Sequence, residues 1–395
     1  MNAARAAAVL AEQGWEGLVA TTAENVRYLS GFRSFTQPLL RTTQVYAVAR
    51  RDRLDAPLVV APLAEVDMAA QFPPRGDLIP YGRFFIEAGA GAADGADRVL
   101  VRWACETPPL ATALDALVEA LRRLDLLDGP VGVDEGGLTH GGWDALAARA
   151  PDRFRMAPAA DSFRRIRAVK TAGEVAALEG ATQALLAAVE ATLGACTDGM
   201  TEGEAALVFE QAVLAAGARP LFTVLAFGSH TAYPNAVPGD RPLRRGDLIR
   251  FDVGAVVDGY CADIARTASY GEPAAAVRAA YRAILAGQDA AVAACRPGAT
   301  AAAVFAAAVA ATQRAGLPHY RRHHVGHGIG LEVYEPPLLA DGVETPLEAG
   351  MVFEVETPYY EVGLGGLQVE DTVVVTASGP RLLGPADRDL RVVEP

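Results

Sequence analysis

The chain reads as two domains of different construction: an α/β half over residues 1–160, then an α+β half with a mostly antiparallel sheet over residues 161–395. Three observations predict this. A length of 395 residues exceeds what one hydrophobic core usually serves. Up to about residue 150, helix-like and strand-like stretches alternate, as in an α/β domain. Beyond a break around Pro151 to Pro158, runs of strands are separated by helices without strict βαβ alternation.

Taken in order, residues 3–13 form an amphipathic helix and GLVATT (17–22) a strand. VYAVARRD (45–52) and APLVVAP (56–62) follow as strands, then an amphipathic helix over 111–127 and a glycine-bounded strand, GPVGVDEG, over 129–136. The segment DSFRRIRAVKTAGEVAALEGATQALLAAVEATLGA opens a long helical region. Thr171 and Glu174 in it have capping-box spacing, a hydroxyl for an orphan amide with a glutamate three residues on. A helix at 202–216, the strand runs LFTVLAF and DLIRFDVGAVVDGYCADIARTASY, and alanine-rich helices at 274–294 and 300–315 come next. GMVFEVETPYY, GGLQVEDTVVVT and RLLGP close the chain as strands.

Composition narrows the function. At 51% hydrophobic and 21% charged the chain is an ordinary folded protein, and a net charge of −13 offers no basic stripe for nucleic acid. No window approaches a membrane span, and MNAARAAAVLAEQGWEG reads as a first helix and not a signal peptide, so a soluble, cytoplasmic protein is expected. Cys105, Cys196, Cys261 and Cys295 form no CxxC pair and are expected to be reduced thiols. Lys170 is the only lysine; beside the alanine load it reads as coding bias.

Five residues of the second half, Asp252, Asp263, His327, Glu356 and Glu370, have the composition of a two-metal ligand set. Asp252 and Asp263 lie on strands joined by the turn VVDGY, so a hairpin brings their carboxylates to one place. Glu356 and Glu370 flank GLGG on two further strands, and His327 opens a glycine-rich stretch with little bulk to crowd a metal. Four carboxylates and one imidazole make a hard site suited to a pair of Mn, Co, Fe or Zn ions. Their four negative charges offset two divalent cations; without metal they repel, and some protonate. Two such ions can activate a shared water and polarise a carbonyl.

The contexts FDVG, CADIARTA, HHVGHGIGLEVYEPP, GMVFEVETP and GLQVEDTVVV, with AENVRYLSGF (23–32) and FRRIRAVKTAGEVAALEGA, resemble the pita-bread metallopeptidases. These are the aminopeptidase P, prolidase and creatinase-like proteins of peptidase family M24. The resemblance covers almost the whole chain. It implies a creatinase-like N-terminal domain and a pita-bread catalytic domain with a curved sheet, and commonly a homodimer or a tetramer. It implies that Asp252 binds one metal, that His327 and Glu356 hold the second, and that Asp263 and Glu370 bridge. The implied nucleophile is a hydroxide between the metals, oriented by Glu356, and His323 matches a further histidine lining the substrate site.

Three positions depart from that pattern. Asn235 and Tyr334 stand where the family usually has histidines, and Gln368 where a peptidase usually has arginine. Asn235 donates a hydrogen bond but shuttles no proton near neutral pH. Tyr334 can still donate to an oxyanion, whereas Gln368 cannot pair bidentately with a carboxylate. His230, five residues before Asn235, could take over proton transfer if its loop curls inward. Metal-dependent hydrolysis of an Xaa-Pro peptide or small amide bond is therefore the leading expectation. A metal enzyme of the same fold acting on a non-peptide metabolite, by hydrolysis or a lyase route, is the second, and a non-catalytic binding protein the third.

Overall fold

The computed structural model describes the 395 residues except 41, 90, 92–94 and 385–386. The chain divides into two compact units, Met1–Arg167 and Ala168–Pro395.

The first unit runs α1 (Ala3–Gln13), β1 (Gly17–Ala20), α2 (Ala23–Ser30), β2 (Tyr46–Arg50), β3 (Leu58–Pro62), α3 (Val66–Gln71), β4 (Asp77–Tyr81), α4 (Gly95–Val101), α5 (Ala113–Arg123), β5 (Pro130–Val133), α6 (Gly142–Arg149), β6 (Arg155–Pro158) and α7 (Ala160–Ala168). Its six strands form one sheet in the order β4-β3-β2-β1-β5-β6. The apolar spacing of α5 puts Ala113, Ala116, Leu117, Ala120 and Leu121 on one stripe, which packs on Val19, Val48, Val60, Val131 and Val133. Buried Asp134 accepts from the amide of Thr22 (3.0 Å) and from Asn25 Nδ2 (2.8 Å), so the segment around AENVRYLSGF is pinned to the end of β5.

The second unit contains α8 (Ala172–Ala195), α9 (Glu202–Ala215), β7 (Arg219–Phe227), β8 (Leu248–Val257), β9 (Tyr260–Tyr270), α10 (Ala275–Ala294) and α11 (Ala301–Arg314). There follow β10 (Gly326–Gly328), β11 (Glu335–Leu338), β12 (Val352–Glu356), β13 (Tyr359–Glu361), β14 (Gly365–Leu367), β15 (Glu370–Thr376), β16 (Gly379–Leu382) and β17 (Arg391–Val393). The main path of its large sheet is β11-β10-β12-β15-β9-β8-β7, antiparallel at every step. The capping box at Thr171 and Glu174 is formed and starts α8.

Strand periodicity then decides which side chains meet which layer. Phe251, Val253 and Ile264 pack on Leu185, Ala188, Phe209 and Val213 of α8 and α9. Phe353, Val355, Val373 and Val375 pack on Ala291, Val304 and Ala308 of α10 and α11. Successive strand residues point to opposite faces. The residues that alternate with these, Asp252, Asp263, Glu354, Glu356, Glu370 and Thr372, thereby share the opposite face of the sheet, where Thr372 Oγ1 lies 2.9 Å from Thr182 Oγ1 of α8.

Lys170 proves to be more than a by-product of base composition. Its Nζ lies 3.0 Å from Glu335 Oε2, with both side chains at most 2% exposed, and Glu335 Oε1 accepts from the amide of Leu331 at 3.1 Å. This buried pair ties the start of the second unit to the turn that follows His327. Removing one partner of such a pair leaves an uncompensated charge. We predict that Lys170→Met costs about 3–5 kcal/mol in urea unfolding, and that adding Glu335→Gln recovers most of it. An unchanged midpoint for the single variant would count against the pair.

Candidate metal centre

Strand register builds the site. Asp252 on β8 is paired with Ala265 on β9, Ala265 with Glu370 on β15, and Glu370 with Glu356 on β12. Three carboxylates and one methyl group therefore form a row across four strands. Two residues along lies a second row on the same face, in which Asp263 pairs with Gly254, Thr372 with Glu354, and Glu354 with His327 of β10. Beneath it, Cys261, Val352, Val374 and Ile329 close on Leu178 and Leu383 as an apolar floor. Ala265 matters by being small, since it leaves the space between Asp252 and Glu370 open. Gly326 matters for the same reason in the backbone, as a Cβ there would sit 2.0 Å from the carbonyl oxygen of Glu354.

The carboxylates are not equally served. Asp252, with 22% of its side chain exposed, has Arg250 Nη1 at 3.4 Å and accepts from Gln368. Burial nevertheless raises it to about 6. Glu356 has His324 Nδ1 at 3.1 Å and Arg322 Nη2 at 4.0 Å. Burial pushes Glu356 up, but His324, Arg322 and His327 together outweigh it and hold the carboxyl below its usual value. Glu354 accepts from Thr372 Oγ1 at 3.0 Å, and burial drives it well above the ordinary range. Asp263 and Glu370 are raised well above it as well, first by burial and then by each other's neighbouring acids.

His327 supplies the decisive test of fit. Its Nδ1 lies 3.1 Å from the carbonyl oxygen of Gly328, which can only accept, so Nδ1 carries the hydrogen. Nε2 then presents a lone pair toward Asp263 Oδ2, 3.9 Å away, and burial keeps the ring neutral by lowering its pKa. Both His327 Nε2 and Asp263 Oδ1 are buried without a hydrogen-bond partner among the described residues. Ligand atoms of Asp263, His327 and Glu370 lie within 4.8 Å of one another. Buried ligand atoms that converge in this way suit a cation, which would displace the protons of the two acids, and the carbonyl of Gly328 fixes the tautomer a metal needs.

The remaining expected residues are placed as follows. Tyr334 stacks on His327 with ring centroids 3.7 Å apart, and its hydroxyl stays neutral because burial and the acids raise its pKa. His323 is exposed and packs edge-on against His324 at 4.2 Å. Asn235 is exposed, next to Pro234, whose carbonyl accepts from Arg250 Nη2 at 3.1 Å. Gln368 is buried, and its Oε1 accepts from Arg250 Nη1 (2.9 Å) and Tyr360 OH (3.1 Å). His230 is held elsewhere: its Nδ1 lies 2.8 Å from buried Glu202, and its ring packs on Tyr233. Those two are its partners among the described residues, and both belong to its own loop and the start of α9.

Four residues of the site were not anticipated: Arg250, Arg322, His324 and Glu354. For two of them a signal existed. Arg250 and Glu354 stand two residues before Asp252 and Glu356, the spacing that shares a strand face. Arg322 and His324 come from a loop, where no periodicity points to a face.

The sequence matches the family model for metallopeptidase family M24 over residues 176–377, and that for the creatinase/prolidase N-terminal domain over residues 3–169. A probable dipeptidase PepE of Mycobacterium bovis is 33% identical over 403 aligned residues, covering 99% of this chain and 95% of the relative. An Xaa-Pro dipeptidase of Pyrococcus furiosus is 36% identical over 232 residues, 58% of this chain and 67% of the relative. Among solved structures, dipeptidase PepE from Mycobacterium ulcerans superposes with a TM-score of 0.78 at 31% identity, covering 100% of this chain and 97% of that one. Prolidase from Pyrococcus furiosus does so with a TM-score of 0.74 at 27% identity, over 97% and 100%. These likenesses favour a peptidase over both the non-peptide enzyme and the non-catalytic binding protein. The chain belongs to metallopeptidase family M24 and is a metal-dependent hydrolase with a creatinase-type N-terminal domain and a pita-bread catalytic domain.

Proposed function

We propose that this hydrolase cleaves the peptide bond of Xaa-Pro dipeptides, with two divalent ions of the Mn, Co, Fe or Zn class held by Asp252, Asp263, His327, Glu356 and Glu370. The observation that carries this is the pair of rows on one sheet face, with an unprotonated, unpartnered His327 Nε2 aimed at Asp263. Residues 1–160 serve as the N-terminal domain and 161–395 as the catalytic domain. When bound, the ions supply Lewis acidity and an activated water.

The protein's own groups do the rest. Glu356 stays ionised beside its hydrogen-bond partner His324, so it can take up a proton during attack. Tyr334 presents a neutral hydroxyl above His327, suited to donating to oxygen as charge develops on the carbonyl. His323 and Asn235 are exposed polar groups available to substrate. Gln368 faces Asp252 with its amide nitrogen, because both lone pairs of its oxygen are engaged by Arg250 and Tyr360. His230 donates to Glu202 and steadies the loop before Asn235, a role that replaces proton transfer in this reading.

Reconstitution with Mn or Co followed by a panel of Xaa-Pro dipeptides tests the activity; a fully metallated protein that cleaves none of them would overturn it. We predict that Asp263→Ala and Glu370→Ala each lower kcat/KM by at least about 1,000-fold, as loss of a metal-held step would. Both should also lower the bound metal measured by elemental analysis; full metal retention with normal turnover would remove these residues from the site.

The raised acids set a pH dependence. Asp252 titrates near 6 when folded, above its unfolded value of 3.8, so the folded metal-free protein binds this proton more tightly. That contribution to stability is present below the unfolded value and is lost as pH rises through about 6. Asp263 and Glu370 act in the same direction. Metal replaces these protons. We predict that the Tm of metal-free protein falls between pH 5 and pH 7.5, and that the Tm gain on adding Mn grows over the same interval. A gain independent of pH would exclude these carboxylates as the ligands.

A further inference from the structure

Two guanidinium groups approach the acidic rows, and they are in opposite states. Arg250 is fully buried and engaged, with Nη1 on Gln368 Oε1 at 2.9 Å and Nη2 on the carbonyl oxygens of Tyr233 (2.6 Å) and Pro234 (3.1 Å). Arg322, from the loop before β10, keeps 16% of its side chain exposed and makes no hydrogen bond among the described residues. The acidic atom nearest to it, Glu356 Oε2, is 4.0 Å away, beyond hydrogen-bonding range. Its Nε, like that of Arg250, is buried without a hydrogen-bond partner among the described residues.

A mostly buried arginine with idle donors is costly unless something arrives to use them. What fits is set by shape and charge, since the planar fork of a guanidinium matches a carboxylate. Charge balance points the same way. Asp252, Asp263, Glu356 and Glu370 carry four negative charges, which two divalent ions cancel. Two cations then stand beside a neutral centre, a hydrogen-bonded Arg250 and, at its edge, Arg322. Arg322 would repel a substrate's ammonium group and attract an anion. Gln368 cannot compete for that anion, because it is neutral and its amide N–H is already directed to Asp252.

We propose that Arg322 is the residue that binds the C-terminal carboxylate of the substrate, and so restricts the enzyme to dipeptides whose free carboxylate lies next to the scissile bond. This assignment rests on the peptidase reading above. It differs from a role in which Arg322 only neutralises Glu356, and the two roles separate cleanly. A carboxylate reader acts on KM for one class of substrate. A partner of Glu356 acts on kcat, or on metal affinity, for all substrates.

The test uses full-length, Mn-loaded Arg322→Gln and Arg322→Lys beside the unmodified protein. Kinetics are measured with Ala-Pro and its C-terminal amide, and metal affinity by titration. The expected result is a KM for Ala-Pro raised about 10- to 100-fold by the glutamine variant, the loss typical of one charge-assisted pair, with kcat, the amide's KM and metal affinity little changed. The lysine variant should recover part of the loss. A fall in kcat for both substrates, or weaker metal binding, would assign Arg322 to Glu356 and overturn the proposal. A binding arm compares the Tm shifts given by L-proline and L-prolinamide. If the unmodified protein cleaves neither peptide, the peptidase reading fails and this arm decides alone. Stabilisation by proline only, lost in the glutamine variant, supports carboxylate binding by Arg322; any equal response of the two proteins, including none, overturns it.

Discussion

Like charge crowded onto one face of a buried sheet is the constraint on which the second unit turns. Asp252, Asp263, Glu354, Glu356 and Glu370 occupy two adjacent rows of β8, β9, β12 and β15. Such a cluster is tolerable only if each carboxylate is protonated, paired or metal-bound. The protein divides them among these solutions. Arg250 and Gln368 serve Asp252, His324 serves Glu356, and Thr372 serves Glu354. Among the described residues, Asp263 and Glu370 are left with no cationic Lys or Arg partner of their own. They are the two carboxylates that converge with His327. The position of the candidate metal centre thus follows from where the internal compensation stops.

The frame around those rows is built to keep them from relaxing. Apolar residues of alternate parity lock β8 and β9 to one helix pair and β12 and β15 to another. Rotating any strand by one residue would exchange buried valines for carboxylates, so register is strongly specified. The apolar floor of Cys261, Ile329, Val352 and Val374 blocks water from below. Gly326 lets β10 come close enough for His327 to join the second row, and the Lys170–Glu335 pair anchors the turn beyond it. Site geometry and core packing are therefore one structure read on two faces.

Two of the three family departures converge on one side chain. Gln368 and the segment leading into Asn235 are both hydrogen-bonded to Arg250, whose guanidinium also lies 5.3 Å over the ring of Tyr360. A buried arginine needs several acceptors, and the amide oxygen of Gln368 is one that an arginine at 368 could not provide. The third departure, Tyr334, keeps an aromatic ring stacked on His327 while replacing a titratable imidazole with a hydroxyl that stays protonated. The altered wall is a coherent exchange of charged or titratable groups for neutral ones beside the proposed ligand set.

Much of this was legible in the sequence because it is local. Apolar periodicity marked the helices and strands, and the VVDGY turn brought Asp252 and Asp263 together as the two-strand geometry requires. The five ligand candidates each carry their own context within a few residues. What was not legible depends on partners far apart in the chain. Arg250 meets Gln368 across 118 positions and Lys170 meets Glu335 across 165. His324 and Arg322 gain their meaning only from where a loop lays them against Glu356, and His230 proved to be bound to Glu202 once that loop was folded. By itself the sequence determined the longer helices, the strands that carry the acids and their pairing into hairpins, since strand alternation and short turns need only neighbouring residues, whereas the short α3, β4, α4, α6 and β6 carried no such signal. Only the tertiary structure decided which charges are compensated and which are left for metal and substrate, because electrostatic pairing depends on distances that the sheet's long-range register alone creates.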